Sequence, residues 1–186
     1  MTEEKKAGSA LSMVKIVVTL LLFAAVVAGL LGLVNYITAQ RIADYKAAKL
    51  QASMHAVLPA SEYSQVIYSG DPAVAAVFRA GDDGWVIEVT PSGFGGLIDM
   101  LVGVDKLGAV TGVSIISMSE TSGLGANAAR ESFGSQYIGK TLGVKLRKQG
   151  GEIDALTGAT VTSTAVTKGV NTALSVADEL MKEGGK

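Results

Sequence analysis

The sequence predicts an α+β protein: one N-terminal transmembrane helix and stalk, then a small domain in which a curved antiparallel sheet packs against a C-terminal amphipathic helix. Three observations predict it. Ile16 to Ile37 is a long apolar run without a charged side chain. Residues 65–118 hold a succession of short strand-like runs punctuated by Gly and Pro. From Val161 onward, apolar residues recur at helical spacing.

A chain of 186 residues accommodates one domain and an accessory segment, because a domain uses on the order of 100 to 200 residues. Sixteen basic and 17 acidic side chains leave a formal net charge of −1. The clustered basic face that nucleic acid requires is missing, so no nucleic-acid partner is expected. With no Cys, the chain has no disulfide, thiolate nucleophile, Cys-ligated zinc or protein-ligated iron–sulfur cluster. A single His, His55, argues against a histidine metal site, and no metal is expected. A chain without thiols is indifferent to the redox state of its compartment, so location must be read from other features.

The 22 residues from Ile16 to Ile37 rise roughly 33 Å as a helix, enough to cross a hydrocarbon core of about 30 Å. A cleaved signal peptide carries an apolar region of only about 7 to 15 residues, and Ile37-Thr38-Ala39 matches a small-x-small cleavage site poorly. An uncleaved anchor in the lipid bilayer is therefore expected. Asn35 and Tyr36 fall at its outer end, at headgroup depth. Gly29 and Gly32 are equally compatible with a close helix neighbour and with lipid. Lys5, Lys6 and Lys15 precede the span while Arg41, Lys46 and Lys49 follow it, a balance that leaves orientation undetermined. Residues 40–55 lack Gly and Pro, so the helix continues outward or restarts as a stalk over 40–60, ended by Pro59.

Strand character follows at Gln65 to Ser69, Ala73 to Ala80 and Trp85 to Thr90, the last bounded by Gly84 and Pro91. Leu97 to Val104 and Val110 to Met118 flank Asp105-Lys106-Leu107-Gly108, a turn of hairpin length. Ala126 to Phe133 supplies one or two helical turns. The basic stretch with Lys140, Lys145, Arg147 and Lys148 reads as a solvated face. In the last helix Val166, Val170, Ala173, Leu174, Ala177, Leu180 and Met181 form the apolar stripe, and Gly184-Gly185 stop it. Residues 61–186 thus form one α+β domain.

Three segments carry chemistry. Asp154-Ala155-Leu156-Thr157-Gly158-Ala159-Thr160 runs into the terminal helix, whose first unpaired amides and positive dipole end hold a phosphate without Arg or Lys. Thr162 and Ser163 offer further hydroxyls, although Thr and Ser are also favoured there as simple caps. Ser119-Glu120-Thr121-Ser122-Gly123-Leu124-Gly125 has two glycines in three residues, which permit positive φ and close backbone approach. Pro91-Ser92-Gly93-Phe94-Gly95-Gly96-Leu97-Ile98 is the third; Phe94, like Trp85, Phe133 and Tyr137, is expected to pack. No catalytic dyad stands near these segments.

The first segment resembles the D-x-x-[ST]-G-A-T flavinylation motif of the FMN-binding domain family, in which the final Thr carries FMN through a phosphoester. The resemblance implies covalent FMN on Thr160, with Asp154, Thr157, Gly158, Ala159, Thr162 and Ser163 around it. The second segment resembles that family's E-T-P-G-L-G loop, with Ser122 where proline is usual. It adds Glu120, Thr121, Gly123, Leu124 and Gly125 to the implied cofactor site. The third resembles the family's aromatic-Gly-Gly entry to the central sheet, where Phe94 either contacts the isoalloxazine or simply packs, packing being the default.

In that family a separate flavin transferase moves FMN from FAD onto the Thr. Motif order, chain length and the single N-terminal helix are similar to the G subunits of Rnf ion-translocating ferredoxin:NAD oxidoreductase complexes, relatives of the C subunits of sodium-pumping NADH:quinone oxidoreductases. What this implies is an electron-carrier subunit, not catalytic alone, with other membrane subunits as partners. It also implies residues 1–15 in the cytoplasm and the domain on the outer face of the inner membrane. Two other readings stay open: a free-standing flavinylated extracellular electron-transfer protein, and a non-redox assembly or scaffold subunit whose TGAT turn only caps a helix.

Overall fold

The computed structural model describes residues 3–183. It begins with one continuous helix, α1 (Glu3–Val57). Its stretch Met13–Val57 is long and apolar enough to cross a membrane by length and composition. The continuation past residue 37 follows from the absence of Gly and Pro before Pro59, and the helix stops at Val57 because the residue preceding a proline disfavours helical backbone. The expected stop at Gly184-Gly185 lies outside the described residues, as do the side chains of Lys5 and Lys6.

From Lys49 onward the chain packs as one compact unit. Five strands form an antiparallel meander: β1 (Tyr63–Val66), β2 (Val74–Ala80), β3 (Gly84–Val89), β4 (Asp99–Asp105) and β5 (Val110–Ser117). The expected turn joins β4 to β5, with Asp105 Oδ1 accepting the amides of Leu107 and Ala109, each at 2.9 Å. Two strands start two residues away from the sequence pattern, while the other starts agree within one residue. β1 lies at 63–66 instead of 65–69, because the Tyr63 hydroxyl donates to the Leu58 carbonyl at 2.6 Å and accepts the Ala60 amide at 3.1 Å, drawing the strand toward the helix end. β4 starts at Asp99 instead of Leu97, because Leu97 bridges back to Ser92 and closes a small loop between β3 and β4.

Strand alternation places buried residues on both faces of the sheet. One face presents Val77, Ile87, Val89, Met100, Val102 and Val104 to α3 (Thr160–Glu183), which answers with Val166, Val170, Ala173, Leu174 and Ala177. Phe133, in the short helix α2 (Glu131–Gly134), and Tyr137 complete this core, rings 5.7 Å apart and edge to face. Trp85 is half-buried, with the Arg79 guanidinium 5.9 Å from its ring centroid. Ile87 is fully buried on the central strand, so Ile87→Ala is expected to cost about 2–5 kcal/mol, read as a lowered midpoint in denaturant unfolding.

The opposite face, with Ala80, Val86 and Leu101, receives Met54, Val57 and Leu58 from the end of α1. Register shifts between Asp99 and Met100 and between Gly103 and Val104 leave Ile116 and Thr111 as extra residues on β5. Both are used by the helix end. The Ile116 carbonyl accepts Lys49 Nζ at 2.7 Å, and the Thr111 hydroxyl donates to the Val57 carbonyl at 2.6 Å. Gly103 and Gly112 pair beneath Val57, where an added Cβ would stand 2.5 Å from the Val57 oxygen or 2.8 Å from its Cα. Two glycines therefore let helix backbone rest directly on sheet backbone.

Glu88 and Asp99 share this face. Burial pushes the Glu88 carboxyl up to about 7, reinforced by the charge of Asp99 and a hydrogen bond with it. A raised carboxyl pKa means the folded state holds more protons than the unfolded one between 4.5 and about 7. Stability is then highest below that window and falls as pH rises through it. Thermal melts at about pH 5 and pH 7.5 are expected to show this decline, and Glu88→Gln to flatten it.

Candidate functional site

Helix α3 starts in an unusual way. Its N-cap position is Ala159, whose carbonyl accepts the Ser163 amide at 3.0 Å and the Ser163 hydroxyl at 2.9 Å. Ser163 Oγ also accepts the Leu156 amide at 2.9 Å, and Gly158 (φ +74°) supplies the left-handed residue that turns the chain into the helix. Ser163, fully buried, thus does the bracing that a capping side chain would do. Thr160 does not: its hydroxyl is exposed and, among the described residues, makes no hydrogen bond. The amides of Thr160, Val161 and Thr162 also lack partners among the described residues, leaving three donors and the positive dipole end beside a free hydroxyl.

Glu120 joins the three motif segments. Its Oε1 accepts the amides of Phe94 and Gly95, each at 2.9 Å, and its Oε2 accepts the Thr162 hydroxyl at 2.5 Å. Burial pushes its carboxyl up, but the Thr162 hydroxyl and the Gly95 and Phe94 amides together hold it below the ordinary value of 4.5. Around it lies a cavity of about 390 Å³, lined by Phe94, Glu120, Thr121, Leu124, Gly125 and residues 158–162. That volume and its mixture of apolar wall with a few polar groups are those of a small-molecule site.

Of the residues expected here, Glu120, Thr121, Leu124, Gly125, Gly158, Ala159, Thr160 and Thr162 line the cavity. Four do not. Asp154 pairs with Arg147 through contacts of 2.6 and 3.0 Å, and Thr157 is exposed on the approach to the turn. Ser163 is spent inside the turn, and Gly123 (φ +77°) bends its loop while its carbonyl accepts the Asn127 amide group at 2.8 Å. The Thr162 hydroxyl is likewise engaged, on Glu120, leaving Thr160 with the free one. The basic stretch is a solvated face, as expected: Lys145, Arg147 and Lys148 are exposed, and its ion pairs, Lys140 with Glu152 and Arg147 with Asp154, lie at the surface.

Sequence reasoning missed Val161 in the cavity and preferred packing over cofactor contact for Phe94. Phe94, expected to pack, is 72% exposed, and Val161 is 53% exposed beside Thr160. The signal for Val161 was an apolar residue off the buried stripe in the helix's first turn. No group of metal-ligating side chains exists among the described residues. The arrangement can hold an anionic group on the amides, place a planar apolar body against Phe94, Leu124 and Val161, and present one hydroxyl for modification.

Comparison with known proteins agrees with this layout. The FMN-binding domain family matches residues 93–175, a span that contains the first two segments and all of the third but Pro91 and Ser92, and the RnfG N-terminal region matches residues 1–57. The chain is 32% identical over 193 aligned positions to the G subunit of the Na(+)-translocating ferredoxin:NAD(+) oxidoreductase complex of Acetobacterium woodii, covering 90% of this chain and 93% of that protein. It is 31% identical to the G subunit of the ion-translocating oxidoreductase complex of Methanosarcina acetivorans, covering 86% and 92%. A shorter match, 45% identical over 94 residues, spans 48% of this chain and 51% of the G subunit of the proton-translocating ferredoxin:NAD(+) oxidoreductase complex of Clostridium ljungdahlii. Among solved structures, the C subunit of the Na(+)-translocating NADH-quinone reductase from Parabacteroides distasonis superposes with a TM-score of 0.53 at 19% identity, covering 72% of this chain and 83% of that one; the two share the fold. Identity above 30% along nearly the whole of both sequences leaves one conclusion: the chain belongs to the G-subunit family of ion-translocating oxidoreductase complexes.

Proposed function

We propose that this chain is a membrane-anchored electron-transfer subunit of an ion-translocating oxidoreductase complex, with FMN attached through a phosphoester to Thr160. The observation that carries the reading is the free Thr160 hydroxyl at the head of α3, next to three unpaired amides and opening on the cavity. The residues fit the group: the helix N-terminus suits a phosphate, and Phe94, Leu124 and Val161 suit the ring system. FMN, when bound, supplies one-electron exchange that no side chain here offers. The chain's part is to fix the phosphate on the α3 amides, confine the ring between the Phe94 and Leu124 loops, and keep the cofactor from dissociating.

The threonine hydroxyl has no base within reach, since the only carboxylate among the described residues of the cavity is held by Thr162 and two amides. Attachment therefore calls for a separate flavin transferase. The complexes named for the relatives supply the class of partner: other membrane subunits of a ferredoxin:NAD oxidoreductase complex, to and from which electrons pass. Residues 16–37 anchor the chain, with residues 1–15 inside and the domain from Lys49 on the extracytoplasmic side. The test is the intact mass of the full-length protein purified from cells that co-express a flavin transferase, followed by peptide mapping. An increment of one FMN on the peptide containing Thr160 is expected; an unmodified peptide, or the increment elsewhere, overturns the proposal.

A further inference from the structure

We propose that Glu120 is the positioning residue of this seat: its carboxylate ties the Phe94–Gly95 loop to the first turn of α3, and the charge it leaves there holds the reduction potential of the bound flavin down. The inference rests on the reading of the cavity as an FMN seat. Its geometry is independent of that reading. Glu120 lies 26 and 25 residues from its two amide donors and 42 residues from Thr162, so one side chain fastens three distant segments. Glycines crowd it on both sides. A Cβ on Gly93 would run into Oε1, and one on Gly125 would stand 2.6 Å from Oε2. The backbone is wrapped around the carboxylate, which cannot swing out.

All three donors are neutral, and among the described residues Glu120 has no ion-pair partner. Nor does a charged side chain face it from the packed elements: residues 91–98, 121–124, the 3₁₀ turn Gly125–Ala129 and residues 160–163 contain none. A full negative charge therefore lines the cavity. Each electron accepted by the flavin adds one negative charge unless a proton accompanies it, and a fixed anion in a partly desolvated site opposes that addition. The amides at the head of α3 would act in the other direction, but on the phosphate they would hold and not on the ring.

Glu120→Gln separates the two roles. Gln keeps an acceptor for the two amides and a donor for the Thr162 hydroxyl while removing the charge. Full-length protein matured with a flavin transferase is expected to keep its covalent flavin in this variant. Its midpoint potential, from a spectroelectrochemical titration with dithionite as reductant, is expected to shift positive. Glu120→Ala removes the bonds as well and is expected to lose most flavin incorporation by intact mass.

A flavin-free measurement guards against misfolded variants. In Thr160→Ala protein, Glu120 stabilises the fold fully above its ordinary 4.5, and this contribution is lost as pH falls through its lowered value; adding Glu120→Gln should weaken the acid dependence, leaving the part due to Glu152 and Asp154. An unchanged or more negative potential in Glu120→Gln overturns the electrostatic role. Unaltered incorporation in Glu120→Ala, or an acid dependence that Glu120→Gln leaves unchanged, overturns the positioning role. Absence of flavin from the wild-type protein refutes the seat instead, and the acid-dependence melts still decide whether Glu120 braces it.

Discussion

Thr160→Ala is expected to abolish the FMN increment in the intact mass and the yellow absorption of the purified protein, while its unfolding midpoint stays within about 0.5 kcal/mol of the unmodified parent. The two halves of this expectation have separate causes. The hydroxyl is the only free one in the first turn of α3 among the described residues, because Thr162 is held by Glu120 and Ser163 by the Ala159 carbonyl, so no neighbour can replace it. The residue is exposed, bonds nothing through its side chain and occupies a helical position that favours Ala over Thr, so the fold loses little. Thr160→Ser restores a hydroxyl at the same place and is expected to recover the increment. A substantial drop in stability for Thr160→Ala would show that the residue caps the helix after all.

Gly125→Val is expected to do the converse, damaging seat and fold together. Gly125 is buried, and a Cβ there would stand 2.6 Å from Glu120 Oε2, 2.7 Å from Thr162 Oγ1 and 3.0 Å from Glu120 Cβ. Contacts that short force movement, and what must move is the carboxylate that fastens the loop to α3. A branched side chain is expected to cost about 1–3 kcal/mol through overpacking and to break the 2.5 Å bond between Thr162 and Glu120. The measurements are urea unfolding and flavin incorporation by intact mass. A variant of parental stability and full incorporation would mean that the loop has room the structure denies.

Sequence periodicity alone located most of the fold. Helical spacing from Val166 to Met181 marked α3, and turn chemistry at Asp105–Gly108 marked the β4–β5 hairpin, because both signals are written within a few consecutive residues. What escaped were features that depend on distant partners. Tyr63 pulls β1 two residues upstream through bonds to Leu58 and Ala60 that no strand pattern encodes. In the site, the glycines of the 119–125 loop look in sequence like room for a planar ligand. In the structure Gly125 makes room for Glu120 and Thr162, a contact between residues 42 positions apart. Ser163 and Asp154 sit in the same motif as Thr160, yet one is buried bracing the turn and the other is bound to Arg147, a distinction that only packing reveals.

The glycine strip under Val57 decides where the soluble half of this molecule begins. A fragment opened at Tyr63 would discard Met54, Val57 and Leu58 and wet the apolar surface of Ala80, Val86 and Leu101, forfeiting on the order of 1.5–3 kcal/mol for each large side chain uncovered. A fragment opened at Lys49 retains that lid, both bonds from the β5 bulges and none of the hydrophobic span before Arg41. What composition marks as a spacer is, from Lys49 onward, a layer of the globule.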